Sequence, residues 1–463
     1  MSDPSVLHRR ITRRRMVQAG GVGLLGLSLP DLLLSDSLDA NRGQSQKSCI
    51  FIFQYGGLSQ LDSWDMKPEG PVEIRGPYRS IATATPGFRV CELMPNLARL
   101  SSEYAVIRSQ SHKQSAHPQA NQMLLAGSSQ PARDSPSFGA IVTRLRPTKA
   151  NVPPHVWLQK FGGGAMPPES AYTTGGHLGM RFAPMVIGER YDDNPANPDF
   201  RVRSFDVAED TSVARLTGRR DLLGRLQNSR AYLGDTAIGK STSIYQDQSF
   251  GLLMGNEARR AFDVQREPDA LRDRYGRNPL GQNLLLARRL VEAGVRLVNV
   301  VAWTGLAPNE KFTSVETWDM HGNAGIGIFD DGWNGLGWAL PRADQAVATL
   351  LEDLKDRGLL DSTLVVLVGE FGRTPRISRG AKAIGRDHWP NCYSSMIAGA
   401  GIRGGAVYGE SDEHAAYVKS NPVSPEDFNA TLFRALGIDP ASRLSPDGFT
   451  QPASQGRPID ALF

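Results

Sequence analysis

The chain has 463 residues, 40% hydrophobic and 22% charged, an ordinary globular composition that excludes collagen-like, coiled-coil and wholly disordered readings. At roughly 150 residues per domain, it can form one large domain or two to three smaller ones with a sizeable buried core. A formal net charge of +4 is too dilute for a nucleic-acid-binding face, which needs a concentrated basic stripe.

In chain order, the first element is an address. Arg13-Arg14-Arg15 stand just ahead of the apolar, glycine-rich stretch Ala19 to Leu29, which reads as a twin-arginine export signal rather than a membrane span. Residues 1–40 are therefore expected to be a leader, either cut near Leu38-Asp39-Ala40 or kept as an anchor, and residues 41–463 the exported domain, in the periplasm or at the cell surface. No later apolar stretch is long enough to span a bilayer, so no transmembrane helix is expected in the mature chain. Cys49, Cys91 and Cys392 are too few for a disulfide scaffold; they read as buried small hydrophobes, with one pair plus a free thiol as the alternative.

Ser48 to Gln54 is a short apolar run ending at Tyr55-Gly56-Gly57, a buried strand feeding a glycine turn. Further strands are expected at Tyr104 to Ser109, Val156 to Gln159, Arg296 to Val301, Thr363 to Val368 and Ser394 to Ala398. Helices are expected at Met94 to Ser102, His117 to Ala126, Leu216 to Leu233, Gly281 to Ala293, Leu340 to Arg357 and Pro425 to Leu436, the last with Ser424 as N-cap. Helices alternating with apolar strands predict an α/β fold with a mostly parallel central sheet covered on both faces. The charged segment at about 208–277 lacks strand-like runs and reads as a helical insertion. Ligands of such sheets sit beyond the carboxyl ends of the strands, which is where chemistry is to be sought.

Four of the eight His fall there. His112 and His117 follow the second strand, at the mouth of a helix whose N-terminus suits an anion. Asp319 and His321 pair a hard oxygen with an imidazole nitrogen. Thr363 to Val368 runs into Gly369-Glu370-Phe371-Gly372-Arg373-Thr374-Pro375, followed by Gly385-Arg386-Asp387-His388-Trp389-Pro390. Glu370, Asp387 and His388 offer more ligand atoms, and the planar fork of Arg373 matches a phosphate or sulfate. Asp62, after the first strand, or else Asp65, can complete a two-metal constellation; Asp62 is the choice.

These segments resemble the alkaline phosphatase and sulfatase superfamily. They more closely resemble a bacterial family of twin-arginine-exported proteins grouped with it, the domain of unknown function 1501, whose mark is GEFGRTP followed by GRDHWP and whose resemblance spans nearly the whole chain. The resemblance implies an alkaline-phosphatase-like three-layer sandwich. The strand ending in Glu370-Phe371-Gly372 resembles the sulfatase strand ending in Ser-Asp-His-Gly, so the carboxylate is kept and the imidazole lost. His388 resembles the superfamily's later lone His ligand, and Asp319 with His321 its Asp-and-His pair. Helix His117 to Gly127 resembles the helix that starts with the nucleophile, which places His117 where Cys, Ser or Thr would stand. The formylglycine-generating Cys-x-Pro-x-Arg motif is absent.

The expectation is an exported hydrolase of small-molecule or glycan phosphate or sulfate esters. It would bind one or two divalent metal ions (zinc, calcium, magnesium or manganese) through Asp319, His321, Glu370, Asp387 and His388, with Asp62. His117, His112 and Arg373 are the catalytic candidates. Three routes stay open: metal-activated water, His117 as nucleophile or ligand, or lost activity, which would leave a metal-stabilised binding protein at the cell surface.

Overall fold

The computed structural model describes residues 47–463 except 149, 163–165, 167–170, 381, 445–450 and, within 206–255, all but 215, 217–219, 221, 222 and 225. The expected export signal and most of the helix expected at Leu216 to Leu233 lie outside the described residues, as does much of the expected insertion.

The core is a sheet of β1 (Ser48–Phe53), β2 (Tyr104–Gln110), β3 (His155–Leu158), β4 (Met185–Ile187), β5 (Leu297–Val301), β6 (Thr363–Val368), β7 (Tyr393–Ala398) and β8 (Val407–Tyr408). Their order is β8-β2-β7-β6-β1-β5-β3-β4. β1 pairs in parallel with β5 and β6, whereas β7 runs antiparallel to both its neighbours, β6 and β2. Every residue of β1, β5 and β6 is buried, as expected for parallel strands covered on both faces, so their sequences are continuous apolar runs rather than alternating ones.

Alternate side chains still divide between two cores. Ile50, Ile52, Val298, Val300, Val365 and Leu367 face a layer containing α3 (Pro279–Glu292) and α4 (Leu336–Asp356). Cys49, Phe51, Phe53, Leu297, Val366 and Val368 face α1 (His117–Ala126), α2 (Phe138–Leu145) and α5 (Pro425–Ala435). The result is a three-layer sandwich. All three cysteines are free and buried, and no described helix is long and apolar enough to cross a membrane.

Local signals place the helix starts. Ser424 accepts a hydrogen bond from Asp427 N at 3.1 Å at the start of α5, and Asn278 accepts one from Gly281 N at 3.0 Å at the start of α3, each satisfying an otherwise unpaired first-turn donor. α4 begins a turn earlier than expected and holds Pro341 within it; a proline in the first turns of a helix is an easy boundary to misplace. α2 had no expectation, its eight residues being too short to show a strong period. Helices Asn256–Phe262 and Asp269–Tyr275 contribute Ala258, Phe262 and Tyr275 to the α3/α4 core.

A loop after β6 returns as two small hairpins, Gly372–Arg373 with His388–Trp389 and Ser378–Arg379 with Ile384–Gly385. A buried ion pair fastens it. Arg386 and Asp62, both fully buried, meet through Nε to Oδ2 at 2.8 Å and Nη2 to Oδ1 at 3.1 Å. Arg386 also donates to the carbonyls of Thr374, Pro375 and Ile74, and Ser59 Oγ donates to Asp62 Oδ2 at 2.5 Å. Asp62 is thereby corrected from metal ligand to anchor: its two oxygens are spent on Arg386 and Ser59. Asp62→Ala is expected to cost about 3–5 kcal/mol by leaving a buried guanidinium unpaired, read as a lowered urea midpoint, with bound metal unchanged in the folded fraction; metal lost from protein of wild-type stability would contradict this placement.

Candidate metal centre

Two strand-end loops and the start of α1 converge at the carboxyl edge of the sheet. His117 is the first residue of α1, Asp319 and His321 lie on the long connection after β5, and His388 lies on the hairpin after β6. One donor atom from each falls within 4.8 Å of the others, the one such group of His, Cys, Asp and Glu among the described residues. Asp319 Oδ1 is 2.8 Å from His321 Nε2 and 3.3 Å from both His117 Nε2 and His388 Nε2. The Nε2 atoms of His321 and His388 are 2.7 Å apart.

Each ring is fixed from behind. Nδ1 of His117 donates to Glu370 Oε1 at 2.6 Å, Nδ1 of His321 to Asp387 Oδ1 at 3.0 Å and Nδ1 of His388 to the Ser115 carbonyl at 2.7 Å. A neutral imidazole that donates from Nδ1 carries only a lone pair on Nε2. Three such lone pairs and a carboxylate oxygen then face one another, with His117 Nε2 buried and without a hydrogen-bond partner. That arrangement repels itself unless a proton or a metal ion lies among the donors, and the donor set, three imidazoles and a carboxylate, fits a metal ion.

Backbone packing brings the loops this close. Gly56 has φ +114°, and a Cβ there would lie 2.2 Å from Asp319 N; a Cβ on Gly385 would lie 2.1 Å from the carbonyl carbon of His321. No other residue fits at either place. Phe371 packs with its ring centroid 4.8 Å from that of His117 and 4.5 Å from that of His388.

The electrostatics follow from these contacts. Burial alone would push the Asp319 carboxyl up, but the Arg373 guanidinium and the three imidazoles hold it well below the usual carboxylate range. Burial would likewise lower His117, yet Asp319 and Glu370 raise it to about 9. His388 is lowered, chiefly by burial.

Arg373 is a correction. It is fully buried, with Nε donating to Gly57 O at 3.0 Å, Nη1 to Arg386 O at 3.1 Å and Nη2 to Trp318 O at 2.9 Å, to Gly56 O and to Asp319 Oδ1 at 2.8 Å. Its fork is closed on the protein and presents nothing to a phosphate or sulfate. Glu370, expected among the ligands, lies behind His117, with both oxygens accepting from Gly56 N at 3.0 and 3.2 Å. Asp387 stands outside the four donors, its side chain 63% exposed and in contact with His321. His112 is spent on the loops, Nε2 donating to Glu370 O at 2.6 Å and Nδ1 accepting from Gln114 N at 3.1 Å. His117, a nucleophile or ligand by sequence, has the geometry of a ligand.

No curated protein matches the chain. Solved structures with a similar chain path include a phosphonate monoester hydrolase from Silicibacter pomeroyi, at 15% identity over 90% of this chain and 76% of that one, TM-score 0.35. The sulfatase PsFucS1 from a Pseudoalteromonas species has 12% identity, covers 93% and 74%, and has a TM-score of 0.38. A member of the alkaline phosphatase superfamily from Vibrio parahaemolyticus has 10% identity, 85% and 67%, and 0.36. One family model, described as "Protein of unknown function (DUF1501)", matches residues 46–463, and the chain belongs to that family.

Proposed function

We propose that the chain is an exported metal-dependent hydrolase of phosphate or sulfate esters, with His117, Asp319, His321 and His388 holding one divalent ion. The observation that carries this reading is the convergence of three imidazole Nε2 atoms and one carboxylate oxygen at the edge of the sheet where such folds place their ligands. Three imidazoles with one carboxylate favour zinc or manganese; calcium and magnesium prefer shells built of oxygen. The chemistry such an ion supplies when bound is Lewis acidity toward water and toward the ester oxygen.

The chain's own residues do the rest. Glu370, Asp387 and the Ser115 carbonyl orient the rings, and Arg373 holds Asp319 Oδ1 in place. Asp387, exposed and in contact with His321, is our candidate for accepting the proton of the attacking water. With His117 Nδ1 held by Glu370, its Nε2 assigned to the ion and Arg373 closed, neither covalent attack by His117 nor anion binding by Arg373 belongs to this proposal.

One observation favours a second reading, a metal-stabilised binding protein at the cell surface: four protein donors gather here, and an ion held by all four would keep no open position, the pattern of structural rather than catalytic zinc. Elemental analysis of the purified protein beside His388→Ala and Asp319→Ala, then a panel of aryl phosphates and aryl sulfates on the metal-loaded form, separates the two. Near-stoichiometric metal in the wild type, its loss in both variants and turnover of either ester class is the expected result. Bound metal without turnover selects the binding protein; metal retained in both variants sinks the site.

Affinity for the ion is expected to rise with pH across the neutral range and to level off above about 9, where His117 no longer holds its proton. Below that point loading must expel the proton, about one per ion. Calorimetry in neutral buffers of differing ionisation enthalpy reads this directly, and a binding heat independent of buffer would refute it.

A further inference from the structure

Glu370 is fully buried at the end of β6. Its two oxygens accept from Gly56 N, and Oε1 also accepts from His117 Nδ1. Among the described residues its ion-pair partner is His117 alone. A carboxylate so placed needs a positive charge nearby. The imidazole of His117 is the route by which one reaches it, either as a proton on the ring or as an ion on the ring's far nitrogen. The same short loop touches two more of the donors: Phe371 packs on His388 as well as His117, and Arg373 Nη2 bonds Asp319 Oδ1. Residues 370–373 thus supply none of the four donor atoms yet contact three of the four residues.

We propose that Glu370 is a positioning residue, an outer-sphere carboxylate that holds His117 with Nδ1 protonated, turns its Nε2 toward Asp319, His321 and His388, and raises that nitrogen's strength as a ligand. This rests on reading the four donors as a metal site. The physical basis is general: a carboxylate behind a ligating imidazole fixes its tautomer and orientation and increases its basicity. A direct-ligand role is closed to Glu370, because its oxygens lie on the Nδ1 side of the His117 ring. The backbone ties it down further, since Gly56 N on one side and His112, which donates to the Glu370 carbonyl, fix both ends of the residue.

The test is a cobalt titration of the metal-free full chain, following visible ligand-field absorption, for wild type, Glu370→Gln and Glu370→Asp. Glutamine is close to isosteric and keeps one acceptor oxygen for His117 or Gly56; aspartate keeps the charge but withdraws it from the ring. Both variants are expected to take up one cobalt ion with affinity lowered about 10–100-fold, with the band shifted in energy but similar in intensity. A merely structural residue would move the melting temperature of the metal-free protein and leave the band where it was. Unchanged affinity and band position in both variants would overturn the proposal. So would a change in intensity signifying a different coordination number, which would make Glu370 a ligand. A wild-type chain that takes up no ion sinks the metal reading itself, an outcome distinct from equal uptake by wild type and variants.

Discussion

Two nitrogen lone pairs held 2.7 Å apart are the constraint around which this sheet edge is built. His321 and His388 come from different loops, each with its Nδ1 already committed to an acceptor, so neither ring is set up to offer the other a proton. Asp319 adds a negative charge at the same point. Left alone, such a group would push its loops apart, and the energy that holds it must come from elsewhere in the fold or from a cation. The fold supplies part of it. Arg373 brings one positive charge to Asp319 from below, and the glycines at positions 56 and 385 let the backbones meet at distances no side chain would permit.

The two buried arginines of the strand-end loop show how irregular backbone can be kept in the interior. Loops usually stay at the surface because their carbonyls need partners. Here Arg373 serves the carbonyls of Gly56, Gly57, Trp318 and Arg386, and Arg386 those of Ile74, Thr374 and Pro375. Each guanidinium is balanced by one aspartate, Asp319 or Asp62. The motif arginines therefore substitute for secondary structure: their planar, multi-donor heads collect carbonyls from chain segments that pair with no strand.

Much of the fold could be read from the residues because parallel strands buried on both faces leave unbroken apolar runs, as in Thr363 to Val368, and because Ser424 marks a helix start by local chemistry. That His321, Asp319 and His388 would meet was also legible, since each follows a strand that ends at the same edge of the sheet. Asp62, Arg373 and Glu370 were not. Each is a residue type suited to an ion or oxyanion, and each turns inward to a partner hundreds of residues away in the chain. Whether a carboxylate faces an ion or stands behind the ring that does is a matter of a few ångströms, which spacing in sequence does not encode. α2 and the small hairpins escaped notice for a simpler reason: their elements are shorter than the periods that would reveal them.

The one reversed strand, β7, carries a consequence for how the centre comes into being. Because β7 lies beside β6 and runs against it, the segment bearing Glu370, Arg373 and His388 is in effect the loop of a β-hairpin, closed by contacts near in sequence. His117, Asp319 and His321 arrive only through crossovers spanning much of the chain, whose loop closure is slow. On kinetic grounds the reversed strand makes the His388 segment the locally assembled half of the centre, and the long-range strand pairing of β1 with β5 and β6 the event that delivers the other half to it.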